Sequence, residues 1–347
     1  MNRSPALTTL AALALPLVLA SPARARALPD TLSPAAWTDA NGFANRRIAA
    51  NGTTLHSVDY GGDGPALVFL AGLGNSGHVY DEFAPRFTDR SHVVALTRRG
   101  YGESGRPKGG FDTGTLAEDV LAQLDALGIE RAVLAGHSVA GDELTEFAAR
   151  HPERVAGLVY LDAAYDRSHT TRRLVSLAVL GQVPPAPPGP GGRDRASLEA
   201  ARDYLERLYG VRWPLAEIAA TRVFDPRGRW TKDATPASTN AKIVQGETAP
   251  RYEAVRAPVL AIYSVNRPES RDFPWIRRMV VGRGVAQLKA MRFRSAQNRW
   301  EADERRKLAD ALPSARIVEL REASHYVFLS DGERVEREMR GLLAALR

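Results

Sequence analysis

The chain has 347 residues, enough for one large α/β domain with an insertion or for two domains, and at 44% hydrophobic and 25% charged residues it is not expected to be disordered. It has no cysteine, which excludes disulfides, thiolate metal sites and cysteine nucleophiles together. Its formal net charge is +7, yet no dense Lys/Arg run with interleaved aromatics marks a nucleic-acid surface, and no His/Asp/Glu spacing marks a metal.

The first elements are read from the amino terminus. Arg3 precedes an apolar run from Ala6 to Ala20, broken once by Pro16, and Ala25-Arg26-Ala27 places small residues where a signal peptidase reads. Residues 1–27 are therefore expected to be a cleaved signal peptide, with the mature protein secreted or periplasmic. The run is shorter than the roughly 20 apolar residues a membrane span needs, so no stable membrane anchor is expected after cleavage. Cleavage after Ala27 removes three arginines and no acids, lowering the net charge from +7 to +4.

Arg46 to Tyr60 alternates apolar and polar residues around Asn51-Gly52 and predicts a hairpin. The runs Ala66–Gly72 and Val93–Leu96 predict buried strands. Helical spacing follows from Thr115 to Leu127, stopped by Gly128; then a strand Ala132–Ala135, a helix Val139–Arg150 and a strand Val155–Leu161. This alternation predicts an α/β fold with a mostly parallel sheet flanked by helices. After Asp162 the rhythm stops until Ala257–Ser264. The interval holds a Pro/Gly loop, Gly181–Arg195, and a helical pattern at Leu198–Leu208. Residues 28–162 and 257–347 are thus expected to form one core, and residues 163–256 an inserted, mainly helical lid. Strand character returns at Ala315–Leu329, before a last helix from Gly332 to Leu346.

The stretch Gly136-His137-Ser138-Val139-Ala140 lies at a predicted strand-to-helix turn, with small residues two positions either side of the serine. Such a turn can present a serine hydroxyl as a nucleophile; its other use is an ordinary helix cap. Four stretches in order, "FLAGLGNSGHVYD", "TRRGYGESGRP", "GHSVAG" and "EASHYVF", resemble the oxyanion loop, the Gly-rich loop, the nucleophile turn and the terminal histidine loop of the α/β-hydrolase fold family, in its serine-nucleophile branch. Ala71 replaces the customary His, Thr97 the customary Asp and Ala140 the usual second Gly.

The resemblance implies that Ser138 attacks an acyl carbon, that His325 is its base, and that the backbone amides of Leu73 and Val139 bind the oxyanion. The family usually places its acid after the penultimate strand, where this chain reads "YSVNRPES" with Asn266 near the expected place. Asp162, at the carboxyl end of a strand 24 residues after Ser138, is the favoured acid; Glu269 is the alternative and Asp331 a further one. His137 is expected to pack, Asn75 and His78 to line the site, and His56, His92 and His151 to lie at the surface or in turns. Branches that use Asp as nucleophile share the fold only. The implied activity is that of a carboxylesterase-like serine hydrolase without a cofactor, cleaving small or medium esters through an acyl-enzyme. A weakly active or inactive ligand-binding relative, or a hydrolase of another acyl or carbon–carbon bond, is the alternative.

Overall fold

Residues 42–346 are described by a computed structural model, so residues 1–27, expected to be a signal peptide, lie outside the described residues. The first strands are β1 (Ala44–Ala50), β2 (Thr53–Gly61), β3 (Ala66–Leu70) and β4 (His92–Thr97). Helix α1 (Thr113–Ala126) starts at Asp112, whose carboxylate accepts from the Thr115 N–H and so satisfies one of the free donors of the first turn. Strand β5 (Ala132–His137), α2 (Ala140–Arg150) and β6 (Val155–Leu161) complete the first half.

Between β6 and the next strand of the main sheet the chain forms α3 (Thr170–Val179), α4 (Leu198–Tyr209), α5 (Leu215–Thr221), a separate two-stranded ribbon of β7 (Arg222–Phe224) and β8 (Trp230–Asp233), and α6 (Ala237–Gly246). Strand β9 (Val259–Val265) is followed by a second excursion that the sequence pattern did not signal. It holds the short α7 (Glu269–Asp272) and the 29-residue α8 (Arg283–Ala311), before β10 (Arg316–Arg321), α9 (Val327–Ser330) and α10 (Gly332–Ala345).

The main sheet has the order β1-β2-β4-β3-β5-β6-β9-β10, parallel except for the β1/β2 and β2/β4 pairings. Side chains of a strand alternate between its faces, so a strand covered on both sides reads as an unbroken apolar run. In β3, Leu67 and Phe69 join one core layer, with Val335 and Met339 of α10. Val68 and Leu70 join the other, with Val120 and Leu124 of α1 and Leu144 and Phe147 of α2. The carboxyl ends of β3, β5, β6 and β10 therefore open on the same edge, where open parallel sheets assemble their sites.

Candidate active site

Ser138 follows β5 directly, and its φ of 56° lies in the left-handed region, as a sharp strand-to-helix turn requires. The turn tolerates little bulk. A Cβ on Gly136 would meet Leu144 Cδ1 at 2.7 Å, and one on Gly141 would meet the backbone nitrogen of Ala164 at 2.7 Å. Small residues are thus needed at 136 and 141, and Ala140, fully buried, stands where the motif usually has its second glycine.

The structure brings the three expected side chains together. His325 Nε2 is 2.9 Å from Ser138 Oγ, and His325 Nδ1 is 2.7 Å from Asp162 Oδ2. Asp162 follows β6, is fully buried, and accepts from Tyr165 Oη at 2.7 Å, Arg267 Nη1 at 2.7 Å and the Ser264 N–H at 3.2 Å. Burial alone would raise its pKa. The Arg267 guanidinium, then the hydrogen bonds from His325 and Tyr165, outweigh burial and hold the carboxyl well below its usual range.

Leu73 and Val139 both line the cavity above Ser138. Among the described residues, neither backbone N–H donates to another protein atom. Two amides without a protein partner, on residues that line the same cavity as a nucleophile, are what an oxyanion hole needs. The loop carrying Leu73 is clamped from behind by Arg98, a residue the sequence pattern does not single out. Its Nη2 and Nη1 donate to the carbonyls of Ala71 at 2.9 Å and Gly72 at 3.2 Å, and its Nε donates to Glu143 at 2.6 Å. Thr97 supports the same loop further along, where its hydroxyl accepts from the Gly77 N–H at 2.9 Å.

Several expectations need correction. Glu269 sits on α7 beside a different surface groove and makes no contact with His325, because the loop after β9 presents Arg267, not a carboxylate, to the catalytic side of the sheet. Asp331 precedes α10 and likewise does not reach His325. Asn75 and His78 do not line the cavity. Asn75 donates to Glu217 of α5 at 2.8 Å and accepts from Tyr326 Oη at 3.1 Å, while His78 pairs with Asp81 at 2.9 Å. Burial pushes the Glu217 carboxyl up to about 7, so the helical excursion is docked on the oxyanion loop through a buried acid. His56 is buried, not superficial, and its ring nitrogens face Thr97 at 3.0 Å and Asn45 at 2.8 Å. His56, His78 and Glu103 approach closely enough to share an ion, but these hydrogen bonds already occupy both nitrogens of His56. His137 packs as expected and does more: its Nε2 lies 3.0 Å from the His325 carbonyl, pinning the histidine loop to the nucleophile strand.

Residues 65–183 match the profile of the alpha/beta hydrolase fold. Over 109 residues the chain is 42% identical to a putative non-heme haloperoxidase of Mycobacterium phage D29, covering 31% of this chain and 39% of that one. It is 30% identical over 120 residues to 2-(acetamidomethylene)succinate hydrolase of Mesorhizobium japonicum, covering 35% and 43%. The match thus spans about two fifths of the length of these curated relatives. The crystal structure of E-2-(acetamidomethylene)succinate hydrolase superposes with a TM-score of 0.64 at 20% identity, covering 87% of this chain and 99% of that one. The chain has the α/β-hydrolase fold.

Within that fold the site closes over a cavity of about 310 Å³. The chain builds the cavity from both excursions: Arg173, Pro185 and Tyr209 come from the first, and Phe273, Phe293 and Trp300 from the second. Volume and lining suit a small organic ligand. Among the described residues no helix is long and apolar enough to cross a membrane.

Proposed function

We propose that the protein is an exported serine hydrolase that cleaves small or medium esters, or closely related acyl bonds, through an acyl-enzyme. The observation that carries this reading is the unbroken hydrogen-bond path from Ser138 through His325 to Asp162, opening on a cavity that also presents two idle backbone amides. Ser138 Oγ would attack the acyl carbon while His325 Nε2 takes its proton. Asp162 keeps Nδ1 protonated and stabilises the imidazolium. Charge arriving on the acyl oxygen would be met by the Leu73 and Val139 amides. The leaving group takes the proton from His325, and a water activated by the same ring releases the acid.

No step in this sequence asks for a cofactor. The excursion of residues 163–256 supplies one wall of the cavity and is assigned the role of a lid that sets substrate size. The names of the relatives, among them a hydrolase, support hydrolysis as the class of reaction.

The test is turnover of a chain-length series of p-nitrophenyl esters together with labelling by a fluorophosphonate. Wild type is expected to do both and Ser138→Ala neither. Equal turnover by the two proteins, or no labelling of the wild type, rejects the nucleophile. Export rests on residues 1–27. Intact mass of the protein recovered outside the cytoplasm should correspond to a chain beginning at Leu28. An exported chain that retains Met1 rejects that part.

A further inference from the structure

The cavity is lined by five arginines, and their partners divide them sharply. Arg267 lies 2.7 Å from Asp162 and 2.9 Å from Glu301, and Arg294 lies 2.6 Å from both Asp272 and Glu301. Arg167 has Asp142 at 3.5 Å. Arg267 and Arg294 are neutralised within the protein, and Arg167 has a carboxyl group of its own beside it.

Arg173, on α3, is different. Among the described residues no carboxylate lies within ion-pair distance of it, and its Nη1 is buried without a hydrogen-bond partner. The guanidinium is held instead against the indole of Trp300, with Cζ 3.9 Å from the ring centroid. Stacking uses the face of the planar group and leaves its in-plane N–H donors available. Burial lowers its pKa only to about 10, so it is a cation at neutral pH. Glu247, on the same cavity wall, does not cancel that charge, because burial pushes its carboxyl up to about 9 and keeps it neutral. Arg271 lines the wall too, with its Nε buried and unpartnered.

A guanidinium withdrawn from water without an anion is costly, and a bound carboxylate relieves that cost with paired, charge-assisted hydrogen bonds. Here both arginines that carry an unmatched donor line the cavity that also holds Ser138. We propose that the site takes acyl substrates whose end remote from the scissile bond is a carboxylate, and that Arg173, held on Trp300, binds it. This names the substrate class of the hydrolase and so rests on the function proposed above. Arg173 determines specificity; the chemistry belongs to Ser138, His325 and Asp162.

The probes are the monoethyl esters of succinate, glutarate and adipate, with acetylated hydroxy acids carrying the carboxylate on the alcohol side, each compared with its neutral methyl-ester counterpart. Wild type should favour the anionic member of at least one pair by about tenfold or more in kcat/KM, the scale of a hydrogen bond to a charged group. Arg173→Met should bring that ratio close to one, and Arg173→Lys should retain part of it. Calorimetry on Ser138→Ala should show the monoanionic ester binding more tightly than the neutral one.

A wild-type preference for the neutral members throughout overturns the proposal without any variant, as does an Arg173→Met protein that keeps the anionic preference. Turnover of neutral esters with no anion binding sinks this proposal and spares the hydrolase reading. Anion binding to Ser138→Ala with no turnover by wild type does the reverse. Absence of both binding and turnover rejects the two together.

Discussion

Asp162→Asn is expected to lower kcat/KM by about ten-thousandfold while leaving the protein folded at ordinary temperatures. An asparagine offers one acceptor where the carboxylate now receives four donors, from His325, Arg267, Tyr165 and Ser264. His325 then loses the partner that fixes its Nδ1–H tautomer. The ring can instead carry its proton on Nε2, where it donates to Ser138 and cannot accept. The fold should tolerate the change because the remaining charges match: Arg267 and Arg294 still face Asp272 and Glu301. Ester kinetics and a thermal melt on the same preparation check both halves, with Glu269→Gln as the contrast, expected near wild type. A fall of less than about tenfold for Asp162→Asn would remove Asp162 from the catalytic path.

What could be read in advance divides along physical lines. The core strands are doubly covered, so β3, β5 and β6 announce themselves as apolar runs, and β6 occupies Val155–Leu161, the span its pattern predicts. The nucleophile turn is legible because its constraint is local: Gly136 and Gly141 are small for want of room. Asp162 could be ranked first because a strand end is a position that sequence can locate. Arg267 could not be foreseen. Its role depends on a side chain from the loop after β9 crossing to the end of β6, and nothing near Asn266 in sequence encodes that meeting. Helix α8 escaped for a related reason: few of its residues are buried, among them Ala286, Ala290, Phe293 and Leu308, and its many charges hide the apolar stripe on which periodicity depends. His56 shows the converse failure, since a histidine between hairpin residues looks superficial until Thr97 and Asn45 take both of its nitrogens.

Arg267→Gln should have the opposite balance of effects to Asp162→Asn. Arg267 is buried and shared among Asp162, Asp272 and Glu301. Its removal leaves Arg294 as the remaining arginine against three buried or half-buried carboxylates, and breaking a buried pair in this way costs about 3–5 kcal/mol, readable as a lower urea midpoint. The pH dependence follows from the sign of the Asp162 shift. In wild type the folded pKa is depressed, so the stability due to this carboxylate is present above its unfolded value and is lost only as the pH falls through the lower, folded one. Without the guanidinium the folded value rises, and burial, which opposes the charged form, is left less contested. Asp162 then begins to take up a proton closer to neutrality, and His325 loses its orienting charge there. The acid limb of the kcat/KM profile is therefore expected to move to higher pH in Arg267→Gln and to return partway in Arg267→Lys, which restores a cation without the forked geometry. An acid limb and a urea midpoint both unchanged in Arg267→Gln would show that the guanidinium neither holds Asp162 ionised nor supports the second excursion. The acid's low pKa would then have to come from His325, Tyr165 and the Ser264 amide alone.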